Sequence, residues 1–146
     1  MRVVVQRVKQ ADVSVEGEVV SKIETGLLVF LGIEKTDTKQ DADYLVDKII
    51  NLRIFEDDNH KMNLSLIDTA SQVLVVSQFT LYGDCRKGRR PSFDSAASAG
   101  QAEKLYRYFV DRISSYGIDT KEGRFRAMME VSLVNYGPVT FIIDSR

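Results

Sequence analysis

Residues 124–143 read RFRAMMEVSLVNYGPVTFII. The first eleven of these alternate like a strand, and Val139–Ile143 gives a second strand signal. Between them sits Asn135-Tyr136-Gly137-Pro138, which holds one of only two prolines in the chain. Proline has no N–H to give to a ladder and is confined to strand edges, bulges and turns. The pattern predicts a C-terminal pair of strands broken at Gly137-Pro138, with a turn as the plainest reading of the break.

Strand signals also dominate the start of the chain. RVVVQRV and ADVSVEGEVVSKI alternate and are rich in valine, with a turn at Glu16-Gly17-Glu18, so they read as a hairpin or meander. GLLVFLGI (26–33) and QVLVVSQF (72–79) are short continuous apolar runs, as in strands buried on both faces. Two segments have helical spacing. In DTKQDADYLVDKIINLRIF the apolar positions are Leu45, Ile49 and Leu52, with Asp37 or Thr38 as the cap. In SAGQAEKLYRYFVDRISSYG they are Leu105, Tyr108, Phe109 and Ile113, with Gly117 as the stop. EDDNHKMN is a polar turn, and residues 83–98 have no periodicity and read as a loop. The sum is one α/β domain over residues 1–146. Its sheet is mixed, mostly antiparallel and curved (barrel-like), covered by two helices.

Composition narrows the chemistry. Apolar residues are 44% and charged residues 28%, as in an ordinary globular domain. A chain of 146 residues buries roughly 70% of its unfolded surface, enough for a core without disulfides or metal. Net charge is −1, so any contact with RNA has to come from a local patch. Cys85 and His60 are the sole cysteine and histidine. No metal site or cofactor is expected, since zinc needs three or four such ligands or carboxylates. Asp57-Asp58 and Asp41, Asp43 read as surface. No apolar run is long enough to span a membrane, which predicts a cytoplasmic protein in a reducing compartment.

Two stretches carry functional signals. In VLVVSQFTLYGD a buried strand ends in Ser77, Gln78 and Thr80, which offer hydroxyls and an amide where a strand gives way to a loop. Capping of nearby backbone is the plainer role for these groups. No base stands near Thr80 in the sequence, which argues against an activated nucleophile; backbone N–H groups at the strand exit could form an oxyanion hole instead. In CRKGRRPSF, Arg86, Lys87, Arg89 and Arg90 are one-fifth of all the basic residues. A mobile basic loop suits phosphate oxygens, and a solvated surface is its ordinary alternative. Phe93 either stacks on a base or joins the core, and the core is favoured.

SQFTLY, KGRRPSF and NYGPVT, together with RV..A.V.V.GE and GLLVFLGIEKTDT, resemble the D-aminoacyl-tRNA deacylase family from Arg7 to Phe141, in order and without large gaps. Two positions depart from its pattern. Phe125-Arg126-Ala127 stands where the family reads Phe-Gly-Ala or Phe-Ala-Ala, and Tyr136 stands where it reads Asp. The resemblance implies hydrolysis of the ester joining a D-amino acid to tRNA by a homodimer with its active site at the interface. Ser77, Gln78, Phe79 and Thr80 would bind the aminoacyl-adenosine, with Gln78 and Thr80 nearest the chemistry. Gly137 and Pro138, joined by a cis bond and contributed by the partner, would form a gate that excludes L-side chains. Arg7 would brace that gate, and the basic loop would hold tRNA. Glycyl esters, with no side chain to clash, would pass. Two alternatives remain: a non-catalytic RNA-binding dimer, and a related editing deacylase that acts on an L-aminoacyl-tRNA.

Overall fold

One long strand, β1 (Arg2–Val15), organises the sheet. The two amino-terminal strand signals are continuous in the computed structural model, which describes all residues 1–146. The alternation of β1 slips at its middle, where Arg7 and Val8 are both buried and Lys9 and Gln10 are both exposed. β1 then turns at Glu16-Gly17, with φ of 53° and 80°, into β2 (Glu18–Ile23). Two successive positive φ angles are what a tight hairpin turn of the strand's own twist requires.

The remaining elements are β3 (Gly26–Gly32), α1 (Lys39–Asn51), β4 (Phe55–Glu56), β5 (Met62–Leu64), α2 (Leu66–Thr69), β6 (Gln72–Ser77), α3 (Ala99–Ser114), β7 (Thr120–Glu122) and β8 (Glu130–Asp144). A 3₁₀ turn, Phe79–Tyr82, follows β6. The main sheet runs β2-β1-β3-β6-β7, and β8 pairs with the other side of β1. β1 is antiparallel to β2, β3 and β8, whereas β3–β6 and β6–β7 are parallel. β4 and β5 form a separate hairpin.

The two apolar runs are buried on both faces. Leu27, Val29 and Leu31 of β3 and Val73 and Val75 of β6 pack with α1 and α3. Leu28, Leu74 and Val76 point the other way, into a second cluster with Val8, Ala11, Val13 and Ile23. Gly26 permits the close pairing of β3 with β6, because a Cβ there would lie 2.0 Å from the Gln72 carbonyl oxygen.

Four expectations are corrected. A third helix, α2, is present; its four residues show no periodicity, but Ser65 and Asp68 form a reciprocal cap. On α3 the fully buried tyrosine is Tyr106, whose hydroxyl donates to the Val75 carbonyl at 2.8 Å. Tyr108 lies at the border and donates to Asp43 of α1. RFRAMM is a turn segment, with Arg126 at φ 63°, and the strand begins only at Glu130. Gly137-Pro138 does not join two strands. β8 runs the whole length of β1 and bulges, so that Arg7 alone lies between the pairings Gln6↔Thr140 and Val8↔Asn135. A bulge leaves residues unpaired, which suits a residue that cannot donate.

Thr38, one of the two expected caps, is the cap of α1, and its N–H donates to the Asp41 carboxylate at 2.8 Å. Asp41 also accepts from Ser145 and Arg146, which ties the end of the chain to this helix. Burial opposes ionisation of Asp41, but the Thr38 N–H, Arg146, Ser145 and the Thr38 hydroxyl outweigh it and hold the carboxyl well below the usual range. Between the two pKa values the unfolded chain binds the extra proton, so this stability is present above about pH 4 and lost as pH falls further. Thermal unfolding should therefore show Asp41→Asn less stable at neutral pH by about 1 kcal/mol. Its midpoint should also fall less steeply than the parent's below about pH 4, and an equally steep fall would remove Asp41 from the acid limb.

Candidate active site

β6 leaves the core at Ser77, which pairs with Leu31 of β3. The Gln78 N–H still donates to the Leu31 carbonyl at 2.8 Å, and the chain then winds into the 3₁₀ turn. Gly32 makes room for that turn, since a Cβ there would lie 2.9 Å from the Leu81 Cβ and 3.2 Å from the Gln78 oxygen. Arg2 fixes the far end by donating to the Leu81 carbonyl at 3.3 Å, with its guanidinium 5.6 Å from the Tyr82 ring centre. The first bond of the turn runs from the Leu81 N–H to the Gln78 oxygen. The N–H groups of Phe79 and Thr80 precede it, at an end that has no partner inside the turn.

The side chains here are exposed or half-buried. The Gln78 amide donates to the Thr80 hydroxyl, and no carboxylate or imidazole bonds that hydroxyl. An amide cannot accept its proton, so the pair is not a nucleophile with its base. Phe79 is 58% exposed. Phe93 meets it edge-on, with ring centres 5.0 Å apart, instead of joining the core. A Cβ on Gly83 would lie 3.0 Å from the Phe93 ring, so the glycine lets the loop fold back.

The basic loop springs from the same place. Asp84 and Ser92 bond each other through backbone at 2.7 and 3.0 Å, closing a narrow excursion that carries Arg86, Lys87, Arg89 and Arg90. The Arg86 guanidinium and N–H, with Arg86's charge, lower the Asp84 carboxyl to about 2. Arg86 folds back onto it at 2.7 Å. Lys87, Arg89 and Arg90 are exposed.

Gly137-Pro138 has its own support. The peptide bond is cis, and both residues are exposed beside buried Val139. Arg7 is 2% exposed and donates to the Tyr136 carbonyl at 3.0 Å and the Ile54 carbonyl at 2.7 Å. It also pairs with Glu56 at 3.4 Å. The Tyr136 ring stacks on this guanidinium, 4.2 Å away. Asn135 spans the bulge by donating to the Arg7 carbonyl at 3.1 Å and the Val139 carbonyl at 3.2 Å. Sequence reasoning points to Arg7 but not to Asn135 or Glu56. Asn135 could have been found as an amide next to a bulge in need of donors, whereas nothing in the sequence marks Glu56.

The structure gathers Ser77, Gln78, Phe79, Thr80 and the basic loop. It does not bring Gly137 or Pro138 to them. Gly137 and Pro138 lie opposite Arg7, whereas Ser77 is level with Val3, two strands away through Leu31. Four residues along β1 and three strand spacings put the two groups roughly 15–20 Å apart in one chain. Arg7→Lys keeps the charge but loses the planar fork that serves two carbonyls at once. It should destabilise the fold by about 1–3 kcal/mol in urea titrations and speed amide exchange around Val139. Unchanged exchange there would mean that the guanidinium does not hold the bulge.

The D-Tyr-tRNA(Tyr) deacylase family model matches residues 4–144. The D-aminoacyl-tRNA deacylase of Halothermothrix orenii is 61% identical over 145 residues, covering 99% of this chain and 97% of that protein. Among solved structures, the c-Myc DNA Unwinding Element Binding Protein superposes with a TM-score of 0.93 at 41% identity, covering 100% and 99% of the two chains. A probable eukaryotic D-amino acid tRNA deacylase shares the fold with a TM-score of 0.84 at 19% identity, covering 98% of each chain. With nearly its whole length matched, the chain belongs to the D-Tyr-tRNA(Tyr) deacylase family and is an enzyme of that class.

Proposed function

We propose that this protein hydrolyses the ester between a D-amino acid and the 3′ end of tRNA. It does so as a homodimer in which Gly137-Pro138 of one subunit closes the pocket at Ser77–Thr80 of the other. The observation that carries this reading is the pairing of a strand exit without a base and an exposed, firmly braced Gly137-Pro138 out of its reach in the same chain. A second subunit supplies what one chain cannot. β8 offers a surface for it, with Val134 44%, Phe141 39% and Ile142 70% exposed on an outer strand.

An aminoacyl ester is already activated, so positioning and oxyanion stabilisation carry much of the rate. Water adds to the ester carbonyl. The N–H groups of Phe79 and Thr80 receive the developing oxyanion, and the bond to the 3′-oxygen then breaks. The free D-amino acid leaves and the ribose oxygen regains a proton, with the neighbouring 2′-hydroxyl assisting. Ser77 and Gln78 hold the aminoacyl-adenosine, and the exposed Phe79 ring offers a stacking face. Gly137 has no Cβ, so its backbone carbonyl can approach the substrate closely. An L-side chain clashes with the gate carbonyls. Glycine has nothing to clash and is hydrolysed too. Lys87, Arg89 and Arg90 meet tRNA phosphates, whereas Arg86 is held by Asp84.

A related editing deacylase that acts on an L-aminoacyl-tRNA is the second reading, favoured by the separation of Gly137-Pro138 from the Ser77–Thr80 exit within one chain. Purified protein incubated with matched D- and L-tyrosyl-tRNA separates the possibilities. Free D-tyrosine should appear while the L-ester persists. No release from either ester would overturn the proposal, and equal release would point to an editing enzyme of relaxed chirality. Thr80→Ala should weaken binding in the pocket yet keep measurable hydrolysis, far above the ~10⁶-fold loss that follows removal of a true nucleophile. Trapping an acyl group on the Thr80 oxygen would overturn this mechanism.

A further inference from the structure

Arg126 has φ 63°, a left-handed conformation that few residues other than glycine adopt without a compensating reason. Such an outlier is grounds for a functional hypothesis. Arg126 is exposed, as is Arg124 two residues earlier. The nearby cations Arg107 and Lys121 are committed to Glu103 and Asp119 at 2.8 and 2.9 Å, but Arg124 and Arg126 make no ion pair.

Their position follows from the parallel register of β6 and β7. Val73 pairs with Thr120 and Val75 with Glu122, and the Gly123 N–H donates to the Val75 carbonyl at 2.9 Å. Continuing that register, Arg124 comes level with Ser77. The 3₁₀ turn and the basic loop pack toward β3, on the other side of β6. Cations therefore flank the strand exit on both sides. A groove of about 490 Å³ opens beside Arg124, floored by Tyr106 and Phe125 with ring centres 5.6 Å apart. Glu122 offsets charge in this groove, where it acts on Tyr106 and Arg107. Of the three cations that line the groove, Arg107, Lys121 and Arg124, only Arg124 makes no ion pair.

We propose that Arg124 and Arg126 form a second phosphate-binding contact for the single-stranded 3′ end of the RNA, across the strand exit from the Arg86–Arg90 loop. This rests on the deacylase reading for its ligand. The two contacts grip the backbone of the terminal nucleotides from opposite sides and fix the last ribose over Ser77–Thr80. Phosphate contacts set register and carry no sequence information, so binding here is independent of tRNA identity.

The test is binding of a tRNA that carries D-tyrosine through a 3′-amide, which the enzyme cannot cleave, at salt from about 50 to 200 mM. The double variant Arg124→Ala/Arg126→Gly should bind more weakly at low salt. Its log–log salt slope should be shallower by about 1.4, or ~0.7 for each single-strand phosphate that is no longer neutralised. Arg126→Lys should keep most of the slope. Folding is controlled within the same set, because Arg126→Gly places glycine at a left-handed position and should unfold at a temperature no lower than the parent. An unchanged slope in a folded double variant overturns the proposal, and so does an equally shallow slope in Arg126→Lys. Hydrolysis of D-tyrosyl-tRNA by the parent protein tests the deacylase reading separately. Its absence would sink that reading, whereas the salt slope decides the arginines.

Discussion

The burial of β3 and β6 on both faces is the constraint from which the rest of this structure follows. Neither strand has a polar face, so each must be covered twice. α1 and α3 cover one side. The distal half of β1, hairpinned onto β2, covers the other by bending at Arg7-Val8. Strands that are parallel and doubly covered read as unbroken apolar runs, and only at their ends can polar groups reach solvent. Ser77 and Gln78 are where that becomes possible for β6, and the candidate site begins there.

The bend also explains Arg7. At the slip in alternation, a long side chain turns inward where an apolar one would otherwise sit. Its guanidinium is almost fully enclosed, a placement tolerated only when its donors are satisfied. The Ile54 and Tyr136 carbonyls and Glu56 satisfy them. One buried cation thus joins the chain after α1, the β4 strand and the β8 bulge. The same residue that resolves the packing of β1 sets the position of Gly137-Pro138.

Much of this is legible in the sequence because it is local or periodic. The apolar runs, the Thr38 cap, the Glu16-Gly17 turn and the aperiodic basic loop are all written in neighbouring residues. Legibility fails where distant pairing decides. The fusion of two strand signals into β1 depends on β8 running alongside, and the bulge at Gly137-Pro138 depends on what lies opposite it. Choosing Tyr106 over Tyr108 as the buried tyrosine requires knowing that Val75 offers a carbonyl to its hydroxyl. At the site, Ser77, Gln78, Thr80 and the cations stand out by residue type. Phe93 reads as a core residue by type, and only the outward turn of its partner, Phe79, draws it to the surface.

The distance between Gly137-Pro138 and Ser77–Thr80 within one chain also bears on inheritance. In the dimeric arrangement proposed, every pocket is a product of two polypeptides, one contributing the chemistry and the other the stereochemical filter. Lesions in the two halves then belong to different complementation groups inside a single gene. A chain defective at the strand exit and a chain defective at the bulge could together assemble one whole pocket per mixed dimer.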